Sequence, residues 1–447
     1  MRNARIAVKF DGGVATHLDD KAQPLNAAKL LYNCTGRSGA LRELSGIEPF
    51  ELETTVDGQA VKQTAEAPQA ILKAWHFKRT DYENNAPDDR LILFLEDMRL
   101  YEISLVNPDG TRPISAEFCM APDAANYKLG EDDVIMFSSP QDSLAVYDGK
   151  SEIRVIDTAP KIRSMCTHYE RLFAVGQDNL LWFSDDLDPT NWNVSLDQAG
   201  YIEFADTKGK LLKVVSFMDY IYVFRQYGIT RLTAYADQKE FYVNEIYSTG
   251  GIYPDSVAIA GDVIYFLSRD GMYSFDGLNT KKIFANLDGL FASDNQNAVA
   301  SCVNNEYLLA CRMDFDDGGM LGRKAESANN AIFRLDVTDG RAEIMRADGI
   351  AFLGAVMSEK VSLPLICFEG EKGRRLGTVR GEGTFFGVPA VKTFISPETD
   401  LGLGSEFKFI RGISVYSETG VTLAVCFDGE WKYYGVKGKK VWQKIAV

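Results

Sequence analysis

RLFAVG at residues 171–176 and LLWFSDDLDPTNW at residues 180–192 form the first of three copies of one pattern. VVSFMDYIYVF (214–224) and DVIYFLSRDGMYSFDG (262–277) are the other two. Each copy has a short apolar strand, a polar turn, a second apolar strand and a turn marked by Gly or Asp. Strands of this length, separated by such turns, are typical of the blades of a β-propeller.

The same pattern extends to both sides of this stretch. Its units are spaced roughly 40–50 residues apart, the length of a four-stranded blade. They start near Leu91, Val134, Leu172, Val214, Val263 and Tyr307, and a last one near Leu365. A single twisted sheet cannot bury both of its faces, whereas a ring of stacked sheets can. We therefore expect an all-β chain with a propeller of six or seven blades over residues 65–384.

Asp-Gly pairs mark the ends of several predicted strands. They occur at Asp148-Gly149, Asp270-Gly271, Asp276-Gly277 and Asp339-Gly340. Glycine accepts the positive φ angles that tight hairpins need. These pairs therefore predict hairpin turns within the blades.

The two ends of the chain lack this spacing. Residues 1–64 are punctuated by glycine without strong periodicity, which predicts an extended N-terminal arm and lead-in segment. Residues 385–447 contain four or five further strand-like runs, which predict a small β-sandwich-like C-terminal domain. Residues 314–330 are predicted to form an exposed loop between two strands.

The composition narrows the class of protein. The chain has 447 residues, 48 Lys and Arg against 63 Asp and Glu, and a net charge of −15, which argues against a nucleic-acid binder. Residues 385–447 are different, with eight Lys and Arg against six Asp and Glu. We expect no membrane span and no signal peptide, since no apolar run is long enough. The seven scattered cysteines predict free thiols in a protein made in a reducing cytoplasm.

Few residues suggest chemistry. The only histidines are His17, His76 and His168, and no nucleophile, phosphate-loop or zinc motif accompanies them. Cys166 and His168 share a strand face, where a structural role is favoured over a catalytic pair. The turn at residues 184–192 is similar to an Asp-box turn but is one residue too long. We expect no catalytic, cofactor or metal residue.

An acidic run leaves one alternative open. Asp314, Asp316 and Asp317 could offer oxygen ligands to calcium, but the spacing is not that of an EF-hand. A solvated acidic loop is the favoured interpretation.

The C-terminal strands mix cations with aromatic residues. The candidate contact residues are Lys432, Tyr433, Tyr434, Lys437, Lys439, Lys440 and Trp442. Such a mixture could bind nucleic acid or an acidic protein surface. The alternative is a terminal hairpin whose lysines protect its edge from pairing.

The order of the motifs resembles that of the β-propeller structural proteins in the necks and tails of tailed bacteriophages. The nearest are tail hub or packaged-DNA stabilisation proteins of short-tailed phages and the related tail nozzle proteins. The motifs are RLFA (171–174), WFSDDLDPTNW (182–192), GITRL (228–232), GGIYPDSV (250–257) and YFLSRDGMY (265–273), preceded by LLYN (30–33) and GALRELSG (39–46).

The resemblance implies a structural role in the virion. In that family six copies form a ring beneath the portal and adaptor, which closes or extends the DNA channel and carries fibres or spikes. Double-stranded DNA would pass without specific binding, and acidic walls would let it slide. The C-terminal candidates would then contact other subunits. No cofactor is implied.

Two other classes of function stay open. One is a carbohydrate-active propeller enzyme, sialidase-like or lyase-like, and the other is a monomeric propeller that binds protein partners. The scarcity of histidine and the single imperfect Asp-box turn argue against the enzyme, which would need paired carboxylates.

Overall fold

A computed structural model describes residues 5–16, 23–36, 39–56, 59–64, 67–106, 110–196, 198–235, 237–246, 250–315, 329–358, 361–370, 373–400 and 409–447. Backbone contacts divide the chain into two compact units. The larger one spans Ala7–Pro397, and the smaller one combines Met1–Ile6 with Glu398–Val447. No helix in the described ranges is long and apolar enough to cross a membrane.

Strands make up nearly all the regular structure of the larger unit. Before the first blade these are β1 (Leu30–Tyr32), β2 (Cys34–Thr35), β3 (Arg42–Glu43), β4 (Ser45–Pro49), β5 (Glu51–Val56) and β6 (Gln59–Thr64). The next strands, through the third blade, are β7 (Ile71–Phe77), β8 (Thr80–Asp81), β9 (Ala86–Pro87), β10 (Arg90–Leu95), β11 (Arg99–Ser104), β12 (Arg112–Glu117), β13 (Asp123–Leu129), β14 (Asp132–Ser138), β15 (Leu144–Tyr147), β16 (Arg154–Ile156), β17 (Ile162–His168), β18 (Arg171–Gly176), β19 (Leu181–Phe183) and β20 (Gly200–Ile202). Of these, β8 and β9 pair with each other, in a hairpin between β7 and β10.

The strands of the later blades follow in chain order, with β38 after the last blade. They are β21 (Leu211–Phe217), β22 (Tyr220–Arg225), β23 (Gly228–Thr233), β24 (Tyr242–Ile246), β25 (Ala258–Ala260), β26 (Val263–Ser268), β27 (Gly271–Phe275), β28 (Thr280–Ile283), β29 (Val299–Val303), β30 (Glu306–Cys311), β31 (Ala331–Asp336), β32 (Arg341–Arg346), β33 (Ile350–Met357), β34 (Ser362–Gly370), β35 (Gly373–Glu382), β36 (Thr384–Phe385), β37 (Val388–Pro389) and β38 (Thr393–Ile395). Short 3₁₀ turns lie at Val194–Leu196, Gln238–Glu240, Pro254–Ser256 and Ala285–Leu287.

These strands form a seven-bladed β-propeller. Six sheets have four antiparallel strands each, in the orders β7-β10-β11-β12, β13-β14-β15-β16, β17-β18-β19-β20, β21-β22-β23-β24, β25-β26-β27-β28 and β29-β30-β31-β32. The seventh sheet is built around β33, β34 and β35. The predicted fold class is confirmed, with the larger of the two predicted blade numbers.

The N-terminal strand β4 completes the seventh blade. It lies antiparallel to β35, with Ile47 opposite Val379 and Glu48 opposite Thr378. The side chain of Ile47 is fully buried. The last blade would otherwise end in an open edge, so this pairing of distant segments closes the ring.

The predicted domain boundaries differ from those of the structure. The predicted arm at residues 1–64 contains β4, which belongs to a blade, and β1, whose Leu30 and Tyr32 are buried in the propeller core. The predicted C-terminal domain at residues 385–447 includes β38, which pairs with β1 in the larger unit. Both differences come from pairing between the two ends of the chain, which no local pattern reveals.

The repeat detected in the sequence is the second strand of each blade. Six of the seven predicted starts fall on it, in β10, β14, β18, β26, β30 and β34, while Val214 falls on the first strand β21. Every residue of β18, for example, is buried. The second strand is covered on both faces by neighbouring blades, so its sequence is a continuous apolar run.

The Asp-Gly pairs form the predicted hairpin turns. Gly149, Gly271, Gly277 and Gly340 have φ angles of 75°, 126°, 93° and 71°. At Asp276 the carboxylate accepts hydrogen bonds from the backbone N–H groups of Leu278 (2.9 Å) and Asn279 (2.7 Å). These hydrogen bonds lower the pKa of Asp276 and fix the turn as an Asx turn.

Candidate interaction surface

The smaller unit buries very little apolar surface. Its described strands are β39 (Ile413–Tyr416), β40 (Val421–Phe427), β41 (Glu430–Val436) and β42 (Trp442–Ile445). They pair as β39 with β42 and β40 with β41. Within the described part of this unit, Val436 is the one hydrophobic side chain that is buried. The other hydrophobic side chains described in this unit are therefore at least partly exposed. Clusters of exposed apolar side chains are typical of sites that contact another protein.

Aromatic side chains dominate the exposed faces of these strands. Tyr433 is 56% exposed and Trp442 is 68% exposed. Trp442 lies opposite the exposed Tyr416, with ring centroids 5.9 Å apart. Trp431 and Tyr433 are two residues apart on β41, so their side chains project from the same face of the strand. Tyr416 and Trp431 were not among the candidates chosen from the sequence. Their positions as aromatic residues in strands of alternating pattern near the C-terminus could have indicated them.

The predicted contact residues fall on two faces and a loop. Lys432 and Tyr434 project from the face of β41 opposite to Tyr433. Lys432 lies over the ring of Phe427, 6.0 Å from its centroid. The structure thus brings all seven candidates into one small unit without placing them on a single face. The candidates in the loop that joins β41 to β42 are Lys437, Lys439 and Lys440, all exposed.

Cys166 and His168 do not form an activated pair. Both lie on β17, and the Nδ1 atom of His168 lies 2.9 Å from the Ser216 hydroxyl. Burial lowers the pKa of His168 to about 4, so its imidazole is neutral at pH 7. Burial, with the charge of Asp123, raises the pKa of the Cys166 thiol well above its usual range. Cysteine catalysis needs a thiolate, and this site disfavours one.

The buried His168 predicts an acid-dependent loss of stability. The unfolded chain takes up a proton near pH 6.5, whereas the folded chain does so only near pH 4. This contribution to stability is complete above pH 6.5 and declines as the pH falls toward 4. His168→Gln is expected to reduce the pH dependence of the urea midpoint between pH 7.5 and 4.5. If the urea midpoints of the wild type and the variant changed equally with pH, His168 would not be the group responsible.

The turn at residues 184–192 is held by its own polar groups. The Asn191 amide donates to Asp185 (2.8 Å), and the Asp188 carboxylate accepts from the Thr190 hydroxyl (2.6 Å). Trp192 is buried and donates to the Pro189 carbonyl oxygen at 3.0 Å. The polar side chains of this turn therefore bond within the turn itself, at the edge of blade three, as expected for a structural turn.

The remaining candidates that the structure describes are His76 and Asp314. His76 Nε2 lies 3.6 Å from Asp89, beside a cavity of about 240 Å³ whose described lining contains no carboxylate. No group of three or more metal-ligating side chains occurs among the described residues. His17, Asp316 and Asp317 lie outside the described residues, so only Asp314 of the acidic run is placed.

Comparisons with known proteins add little to this description. No family model and no curated protein matches the chain. Among solved structures, the computationally designed Ika8 protein is 8% identical with a TM-score of 0.42, over 84% of this chain and 97% of its own. Raptor of Chaetomium thermophilum is 10% identical with a TM-score of 0.46, over 76% of this chain and 29% of its own.

PorZ, a surface component of the type-IX secretion system of Porphyromonas gingivalis, is the third. It is 12% identical with a TM-score of 0.41, over 82% of this chain and 46% of its own. Likenesses at this level concern the fold alone, and the seven blades are evident from the sheet topology of this chain.

Proposed function

We propose that this chain is a non-enzymatic structural protein of a tailed-phage virion, which assembles as a ring of six copies in the neck or tail. As a hub or a nozzle it would extend or close the DNA channel and contact the portal, adaptor and fibres. Two lines of reasoning support the proposal. The motif order of the sequence resembles that family, and the smaller unit exposes a surface suited to protein contacts.

The exposed aromatic strands of the smaller unit carry this proposal. Burying a large aromatic side chain is energetically favourable, and such residues are enriched at protein interfaces. Residues 431–447 combine Trp431, Tyr433 and Trp442 with five lysines and no acidic residue. A lysine-flanked aromatic surface fits an acidic protein partner, and the rest of this chain is strongly acidic.

The acidic balance also suits a DNA channel. A chain with a net charge of −15 does not retain phosphates, so the duplex would move past it without specific binding. The proposal predicts that Asp and Glu line the bore of the ring.

Self-association through the smaller unit is the testable consequence. Tyr433→Ser combined with Trp442→Ser is expected to weaken self-association by about tenfold or more, because central aromatic residues dominate interface energies. Sedimentation velocity from about 1 to 100 µM measures this. Val155→Ser is the matched control, since Val155 is an exposed apolar residue on the outer strand of blade two. A wild-type chain that stays monomeric throughout would contradict the ring and favour a monomeric binding propeller.

A further inference from the structure

Five blades join their first and second strands by a two-residue turn whose first residue has positive φ. The first residues of these turns have positive φ: Gly130 (62°), Tyr169 (47°), Met218 (52°), Gly261 (64°) and Asn304 (52°). Gly and Asn tolerate positive φ, whereas bulky side chains are disfavoured there. Blades three and four therefore place Tyr and Met where equivalent blades use residues that suit the turn.

Neither of these two side chains is buried. Tyr169 is 49% exposed and Met218 is 57% exposed. Leu187 also has positive φ (57°) and is 65% exposed, and its N–H donates to the Glu170 carbonyl oxygen at 3.0 Å. The exposed Tyr235 ring lies 5.6 Å from that of Tyr169. We name Tyr169, Leu187, Met218 and Tyr235 the turn patch.

Carboxylates surround the turn patch. The Tyr169 hydroxyl donates to Asp219 at 3.2 Å. Burial, together with the charges of Asp186, Asp188 and Glu170, raises the pKa of the nearby Tyr127 to about 12. The second residue of the turn is acidic in four of the five blades, namely at Glu131, Glu170, Asp219 and Asp262. The turn patch is therefore an apolar surface within an acidic one.

The lysine-rich strands of the smaller unit have the complementary character. Residues 431–447 carry five lysines without an acid, and they expose Trp431, Tyr433 and Trp442. We propose that the turn patch of one copy receives residues 431–447 of a second copy, an inference that rests on the proposed function. Two different surfaces then meet in a head-to-tail contact, the kind that closes into a ring. Strain retained at exposed turns is consistent with selection for binding.

Glycine substitutions separate binding from stability. Tyr169→Gly with Met218→Gly is expected to weaken self-association by about tenfold or more while leaving the thermal midpoint unchanged or higher. The midpoint is retained because glycine suits positive φ at both turns, which offsets the loss of the Tyr169 ring contacts with His168 and Tyr235. Met98→Gly is the control, since Met98 has positive φ (62°) and is exposed at a turn joining the second and third strands of blade one. It should leave self-association unchanged.

Cross-linking between differently labelled copies identifies the contact directly. Equal amounts of ¹⁵N-labelled and unlabelled protein are mixed and treated with a carbodiimide, which joins lysines to carboxylates. The proposal predicts mixed-isotope cross-links between lysines of residues 432–444 and Asp186, Glu170 or Asp219. If those cross-links join only residues of one isotope, the contact is within a chain and the proposal is overturned.

The outcomes also separate this proposal from the function it rests on. If the wild-type chain associates and the double glycine variant associates equally well, the turn patch is not the contact, although the ring proposal stands. If the wild-type chain does not associate, both proposals are overturned.

Discussion

Ile47→Ala is expected to lower the free energy of unfolding by about 2–5 kcal/mol, the usual cost of truncating a buried aliphatic side chain. Ile47 is fully buried, packs with Ile366 and Leu353 of the seventh blade, and accepts a hydrogen bond from the Phe386 N–H at its carbonyl oxygen (2.7 Å). The loss affects the core between the sixth and seventh blades, where Ile47 also lies among Leu308 and Ile332. Urea unfolding measures the change.

A glycine substitution in the same strand tests the closure independently. An added Cβ at Gly46 would overlap the Thr384 carbonyl oxygen, so Gly46→Ala must displace β4 from its neighbour β36. Gly435→Ala is the control, because a Cβ there meets no atom within 4 Å. Equal unfolding midpoints for these two alanine variants would contradict the role assigned to β4.

Asp206→Ala is expected to cost about 3 kcal/mol of stability, the lower end of the range for breaking a buried ion pair. Asp206 binds both terminal nitrogens of Arg225 at 2.6 Å, and Arg225 is only 1% exposed. The variant leaves a buried guanidinium without its carboxylate. The lower value is expected because the Asp206 side chain is itself 24% exposed. Thermal and urea unfolding measure the loss.

A surface ion pair provides the control for Asp206. Lys150 and Asp132 lie 3.2 Å apart with both side chains about half exposed. Removing an exposed pair costs at most about 1 kcal/mol, so Asp132→Ala should change the midpoint little. A similar loss for both alanine variants would mean that the burial of Arg225 does not matter.

Much of the propeller could be predicted from the sequence, because its signal is local. The buried second strands are continuous apolar runs, and the Asp-Gly turns require positive φ. The closure of the ring could not be predicted, because β4 and β35 are separated by most of the sequence and no local pattern shows that they pair. Residues 385–397 looked like part of the last domain because strand pattern alone does not show which sheet a strand joins.

The exposed aromatic residues of the smaller unit were predicted in part. Lys432, Tyr433 and Trp442 were evident as a basic, aromatic sequence, and the structure places them on exposed strands. The turn patch was not predicted, because Tyr169 and Met218 read as ordinary residues in polar turns. Their significance depends on φ angles and on comparison with equivalent turns at Gly130 and Gly261, which only the structure supplies.

Electron cryomicroscopy of the assembled protein tests the central proposal most directly. We expect a closed ring in which residues 431–447 of each copy lie against the propeller of the next, around a bore lined mainly by Asp and Glu. Isolated single chains at high concentration would contradict it. So would a ring with a strongly positive bore, or one whose C-terminal strands face solvent.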